Sequence, residues 1–273
     1  MLNKNQENDD ILQIQGITKR FDGVTALNEV SSNFKRGQLK AIIGPNGAGK
    51  TTLLNVISGL LSPNSGTIYF KKHKITGLMP NSINFLGVSR TFQIVRLITN
   101  NNATVLDNIL LGAHRDIDPK IYKSIFCRSK MIAQEKIIKE KALKTLDFVG
   151  LNNVENLSPS SLSFGNQRLV ELARALISEP ELLLLDEPAS GLNSAEVDNL
   201  IKLLLNLRSQ GISIILVEHN MRMVMDIAED ILVLNYGKKL AEGPPDEIAS
   251  NPEVVEAYLG KDYSKYGLVN NNA

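Results

Sequence analysis

Residues 39–61 read "LKAIIGPNGAGKTTLLNVISGLL". A short apolar run, a glycine-rich turn and an apolar-periodic stretch follow one another without a break, which predicts strand, loop and helix in that order. Within "GPNGAGKT", Gly44, Gly47 and Gly49 leave the backbone free to fold its N–H groups around a polyphosphate, and Pro45, Asn46 and Ala48 complete the loop. Lys50 is placed to reach the β- and γ-phosphate oxygens, the Thr51 hydroxyl to reach Mg²⁺, and Thr52 continues the site into the helix. A chance glycine-rich turn would not carry this strand before it and this helix after it.

Upstream, "ILQIQGITKRFDGVTALNEVSSNF" (residues 11–34) alternates apolar and polar residues around a turn signal at Phe21-Asp22-Gly23, which predicts short antiparallel strands. Downstream, residues 94–162 are helix-forming text. There Ile138, Ala142, Leu146 and Val149 share one helical face, and Gly150 stands where the helix should stop. After this stretch "ELLLLD" and "ISIILVEH" are apolar runs of the kind buried in a parallel sheet. The expected fold is therefore an α/β core with an antiparallel β region at its start and an inserted helical region. Its expected boundaries are a flexible lead at 1–10, a core at 11–93 and 163–250, a helical insertion at 94–162, and a C-terminal extension and tail at 251–273.

Composition narrows the function classes. The 273 residues carry 30 Lys and Arg against 29 Asp and Glu, so no global basic excess points to nucleic acid. Locally, residues 115–144 hold nine basic and four acidic side chains, a surplus that suits either a solvated face or an anionic lipid surface. The one cysteine, Cys127, excludes an internal disulfide and a multi-cysteine zinc site, which fits a reducing cytoplasm. The opening "MLNKNQENDD" lacks the pattern of a signal peptide, and no apolar run is long enough to span a bilayer. A membrane role must come through a partner.

Five further places carry chemistry. In "LLLLDEP" the carboxylates Asp186 and Glu187 end an apolar strand, where one can hold Mg²⁺ and the next can orient and deprotonate water; the same text alone also reads as a turn. His219, after "ISIILVE", can contact a γ-phosphate or serve a local hydrogen bond. Gln93 in "RTFQ" reads as a site amide or a surface one, and Phe21 as an adenine-stacking ring or a hairpin core residue. In "LSFGNQ" (residues 162–167), Ser163 and Gly165 begin an amphipathic helix and form a second candidate anion site, although residues 44–51 already supply one.

These segments in this order resemble the ATP-binding subunit of ABC transporters: Walker A "GPNGAGKT", Q-loop Gln93, signature "LSFGNQ", Walker B "LLLLDE", D-loop "SGLN" and switch His219. The resemblance spans about residues 11–260 and implies a P-loop NTPase fold, ATP and Mg²⁺ as ligands, and ATP hydrolysis. It implies that Phe21 stacks adenine, that Lys50 and Thr51 hold phosphate and Mg²⁺, and that Gln93 senses the metal and the lytic water. Asp186 would hold Mg²⁺, Glu187 would be the base, and His219 would touch the γ-phosphate. Ser163 and Gly165 would serve the ATP of a second subunit facing head to tail, either another copy or a paralogue. The chain departs from the family pattern at Phe164, at Asn166 and at Asn193, which stands where aspartate is usual and has capping-box spacing with Glu196.

"RTFQ", "DEPASGLN", "VEHNM", the insertion after "NILLGAH" and the ending "NPEVVEAYLG" are similar to the larger ATPase subunit of branched-chain or neutral amino-acid importers. Expected partners are membrane permease subunits and, indirectly, a periplasmic or extracellular solute-binding protein, with no nucleic acid; the expected place is the cytoplasmic face of the membrane. Related urea or lipopolysaccharide systems, and a soluble ABC ATPase acting on nucleic acid or ribosomes, are the alternatives. The transported solute is not legible.

Overall fold

The computed structural model describes residues 9–93, 95–100, 102–116 and 128–259. Cys127, the lead up to residue 8 and the tail from residue 260 lie outside the described residues, as does the middle of the basic stretch at 117–127. In chain order the elements used below are β1 (Asp10–Phe21), β2 (Val24–Lys35), β3 (Leu39–Ile43), α1 (Lys50–Ile57), β4 (Ser65–Phe70), β5 (His73–Lys74), α2 (Pro80–Leu86), β6 (Val88–Arg90), α3 (Val105–Leu110), α4 (Arg128–Phe148), α5 (Phe164–Leu176), β7 (Leu182–Asp186), α6 (Ser194–Ser209), β8 (Ser213–Val217), α7 (Met221–Ile227), β9 (Asp230–Asn235) and β10 (Lys238–Gly243). The chain divides into two units, Met1–Ile83 with Leu205–Ala273, and Asn84–Leu204.

In the first unit, β2-β1-β4-β5 form an antiparallel sheet. The turn between β1 and β2 is the two residues Asp22 and Gly23, with φ of 37° and 92°; positive φ at both positions matches the right-handed twist of the strands it joins. The two strands run twelve residues each, longer than the short strands the alternation predicts. The pairing tolerates that length by bulging, with register shifts between Ile14 and Ile17 and again toward Arg20. Beside this sheet in sequence, β3 pairs in parallel with β8 and β9, and β10 closes antiparallel on β9.

All five residues of β3 are buried, including Lys40, which is 1% exposed. The strand therefore places a cation where its apolar reading predicts none. Its ammonium is met by Asp230 at 2.8 Å, by Glu242 and by the carbonyl of Asn33 at 2.8 Å, and it lies 4.8 Å from the Phe34 ring centre. Burial alone would raise the Glu242 carboxyl, but hydrogen bonds from Lys239, Lys40 and Ser32 hold it below its ordinary value.

In the second unit, β6 and β7 pair in parallel, with Arg90 opposite Leu184. Helix α4 buries Ile138, Ala142 and Leu146, and Val149 just past its end is buried as well, the face expected from their spacing. Gly150 adopts φ of 83° and donates to Asp147 while Leu151 donates to Leu146, so the helix stops where the glycine predicts. Helix α3 opens on a capping box, Thr104 with Asp107, and its first N–H groups donate to the carbonyls of Leu157 and Glu155.

Candidate active site

The phosphate loop leaves the carboxyl end of β3, and the segment carrying His219 leaves the carboxyl end of β8, its parallel neighbour. Gly44 has φ of 149°, and a Cβ there would lie 2.1 Å from the Leu234 carbonyl oxygen. At Gly49, φ is 102° and a Cβ would lie 2.6 Å from the Ala26 carbonyl. Backbone, not flexible side chain, fills both places, so only glycine passes. Nothing stands within 4 Å of a Cβ built on Gly47, so the exposed crest of the loop is open.

Gly49 is the N-cap of α1 and offers no side chain to cap it. The first N–H groups of a helix that lacks a side-chain cap suit an anion. The Lys50 side chain is 6% exposed and donates to the carbonyls of Gly44 at 2.6 Å and Pro45 at 2.9 Å, which holds the cation against the loop. Thr51 is exposed, Thr52 half-buried. A glycine cradle, a lysine and an open helix N-terminus fit a polyphosphate. Phe21, 40% exposed, ends β1 with Lys19 5.1 Å from its ring centre, so the ring is available for stacking rather than buried in the hairpin. His219 is exposed; the buried Glu218 accepts its backbone N–H at 2.9 Å and that of Asn220 at 3.2 Å, which fixes the turn that presents the imidazole.

In the second unit, Asp186 ends β7 at 1% exposure, and its Oδ2 accepts from Arg90 Nη2 at 3.0 Å. Burial pushes the Arg90 guanidinium down from its ordinary value, against the pull of Asp186. Glu187 follows at φ of 49°, a left-handed conformation that costs a residue with a side chain about 1 kcal/mol or more. Its Oε2 accepts from Gln93 Nε2 at 2.8 Å. The strand end thus presents two carboxylates, one buried beside a cation and one half-buried beside an amide. Hard oxygen donors of this kind fit Mg²⁺.

Ser163 caps α5, accepting the Asn166 N–H at 3.3 Å. Gly165 is buried, and a Cβ on it would lie 2.4 Å from Glu196 Oε1. Phe164 lies over the D-loop: a Cβ on Gly191 would come within 2.8 Å of its ring, and the Arg168 guanidinium stands 5.2 Å from the ring centre. Asn193 and Glu196 exchange the two hydrogen bonds of a capping box at 2.9 and 3.0 Å, as their spacing predicts.

A family model described as ABC transporter matches residues 27–190. The chain belongs to the ABC transporter family. A second model, described as branched-chain amino acid ATP-binding cassette transporter, matches residues 238–264. The chain is 40% identical over 252 residues to the high-affinity branched-chain amino acid transport ATP-binding protein BraF of Pseudomonas aeruginosa, covering 92% of this chain and 98% of that one. Against the protein LivG of Escherichia coli, which carries the same description, it is 37% identical over the same shares. A nucleotide-free ATP-binding cassette from an ABC transporter superposes with a TM-score of 0.80 at 32% identity, over 92% of this chain and 100% of that one. The dimeric structure of a bacterial ABC transporter cassette superposes at 0.71 and 28% identity, over 86% and 98%. The α/β P-loop fold, ATP as ligand and ATP hydrolysis follow from membership.

The cassette also contains site residues that sequence reading missed. Arg168, Glu171 and Arg174 of α5 hold the Q-loop by its backbone. Arg168 donates to the Phe92 carbonyl at 3.2 Å and Arg174 to that of Arg96 at 2.7 Å. Glu171, 2% exposed, accepts the N–H groups of Arg96 and Phe92. Burial raises its carboxyl above the ordinary range, opposed by Arg174, those two N–H groups and Arg168. Three charged residues at i, i+3 and i+6 on a helix whose other inward positions are apolar were the signal available. Arg90 had one too, as the charged residue of a short strand just before Gln93.

Proposed function

We propose that the chain is the ATP-hydrolysing subunit of an importer for branched-chain or other neutral amino acids. The observation that carries the hydrolytic part is the bond between Gln93 and Glu187 beside the metal-type carboxylate Asp186. In this reading Gly44 to Thr52 bind the triphosphate, Phe21 stacks the adenine, and His219 contacts the γ-phosphate. Thr51, Gln93 and Asp186 would hold Mg²⁺, which when bound neutralises charge on the β- and γ-oxygens. Glu187 accepts the proton of the attacking water, and Gln93, already bonded to its carboxylate, orders that water.

The amino-acid substrate is supported by the family match at 238–264 and by the relatives described as branched-chain amino acid transport proteins. Among the described residues no helix is long and apolar enough to cross a membrane. We read attachment as peripheral, on the cytoplasmic face, through permease subunits, with a solute-binding protein feeding them from outside. Residues 94–162 are read as the helical insertion that carries the signature to a second ATPase subunit, facing head to tail; a similar cassette has been solved as a dimer.

Glu187→Gln keeps the shape and the hydrogen bonds of the side chain but cannot accept a proton. Phosphate release is expected to fall about 10²–10⁴-fold with nucleotide binding retained; release at the wild-type rate would remove Glu187 as base. Reconstituted with the permease subunits of its transporter, the protein is expected to drive ATP-dependent uptake of leucine; uptake of urea alone would overturn the substrate assignment.

A further inference from the structure

One short segment serves both carboxylates of the β7 end. Gln93 reaches Glu187, and Arg90, three residues earlier, reaches Asp186. The second contact is unusual for a metal ligand. The Arg90 and Asp186 side chains are 7% and 2% exposed, so a full positive charge sits 3.0 Å from a carboxylate in a region from which water is largely excluded. Strand register fixes it there: Arg90 lies opposite Leu184, Thr91 donates to the Leu184 carbonyl at 3.0 Å, and Asp186 is two residues further along the same face. The Phe92 ring, 5.3 Å from the guanidinium, packs on the cation as well.

A guanidinium does not deprotonate in proteins, so its charge is constant. A divalent cation approaching Asp186 must therefore meet a carboxylate whose charge is already matched, and must also meet the guanidinium. At the few ångströms involved, that repulsion acts through a partly desolvated interior that screens it less than water would. Phosphate oxygens supply the missing negative charge.

We propose that Arg90 is a positioning residue and resident counter-ion for Asp186, which neutralises the carboxylate and so makes divalent-metal binding depend on the arrival of nucleotide. The inference rests on the reading of Asp186 as metal ligand. Without Arg90 the carboxylate loses a buried partner, which destabilises the fold, and gains affinity for free divalent cations.

Mn²⁺ is the probe, titrated into the full chain by electron paramagnetic resonance with and without ADP, alongside thermal unfolding in EDTA and in Mn²⁺. The wild type is expected to bind Mn²⁺ weakly alone and tightly with ADP. Arg90→Met should tighten nucleotide-free binding on the order of tenfold or more, and should lower Tm in EDTA with partial recovery in Mn²⁺. Adding Asp186→Asn to Arg90→Met should raise Tm and abolish the gained binding, because the buried carboxylate charge that Arg90 had offset is gone. This double variant keeps the test decisive if Arg90→Met folds poorly; Arg90→Met and the double variant melting alike would overturn the proposal. So would nucleotide-free Mn²⁺ binding unchanged by Arg90→Met. Asp186→Asn alone separates the two layers: Mn²⁺·ADP bound as tightly as by wild type would overturn the reading of Asp186 itself, whereas weakened Mn²⁺·ADP binding together with an inert Arg90→Met would overturn only the role of Arg90.

Discussion

Helices α1 and α5 both begin at a glycine-containing turn, and their N-termini are built in opposite ways. At α1 the glycines are dictated by backbone: the Leu234 and Ala26 carbonyls occupy the space a side chain would need at Gly44 and Gly49, the cap has no side chain, and Lys50 is buried against the loop. At α5 the cap is the exposed Ser163, and Gly165 is excluded from carrying a side chain by the end of another side chain, Glu196. The first terminus brings its own cation and a helix start without a side-chain cap to an anion. The second has one N–H satisfied by Ser163 and exposes Ser163 and Phe164 outward. That contrast is what a site divided between two chains requires, with one half that binds alone and one half that completes.

The largest expected effect comes from breaking the first terminus. Gly44→Ala forces a backbone shift, since a carbonyl cannot swing away as a side chain can, and the isolated chain should lose ATP binding in a fluorescent-nucleotide titration. Gly165→Ala meets the Glu196 side chain first rather than backbone, so the isolated chain should bind ATP like wild type while ATP-dependent pairing weakens. Equal losses of binding in the two variants would erase the distinction between the termini.

A smaller effect sharpens the electrostatic side of the comparison, because α1 buries a cation and α5 buries an anion. Glu171 has its folded-state value raised, chiefly by burial. The folded protein therefore holds that proton more readily than the unfolded chain. The stability it contributes is fully present below the ordinary carboxylate value and is lost as pH rises through that value up to the raised one. Urea midpoints of wild type and Glu171→Gln, compared from the acidic range to neutrality, should diverge across that window with the wild type falling more steeply. A gap that does not change with pH would contradict it.

How much of this was legible in the residues differs between the termini in the same way. The phosphate loop is local: strand, glycines, Lys50 and helix lie within about twenty residues, so spacing alone placed them. The capping box of Asn193 and Glu196 and the stop at Gly150 were legible for the same reason. What links α5 to its surroundings is not local. Glu171 meets backbone N–H groups some seventy-five residues away, Phe164 meets Gly191, and Arg90 meets Asp186 across a strand pair. Such pairings depend on register, which one sequence does not display. Phe164 looked like a departure from the usual glycine, yet the structure gives its ring the space over Gly191. Lys40, which the apolar reading of its strand passed over, is met by Asp230 and Glu242, both distant in sequence.

The division of the site between two chains is tested most directly by mixing variants that each break one half. In a Glu187→Gln background, where ATP is expected to accumulate in the closed pair, Ser163→Arg should leave nucleotide binding by the separate chain intact and abolish ATP-dependent dimerisation measured by light scattering. The bulky side chain would stand between α5 and the opposing γ-phosphate. Mixed with a second chain carrying Lys50→Ala in the same background, it should recover pairing, since one composite site then has the phosphate loop of the first chain and the signature of the second, both intact. Loss of ATP binding by the separate Ser163→Arg chain, with no recovery on mixing, would show that the signature serves its own chain and would contradict the head-to-tail arrangement.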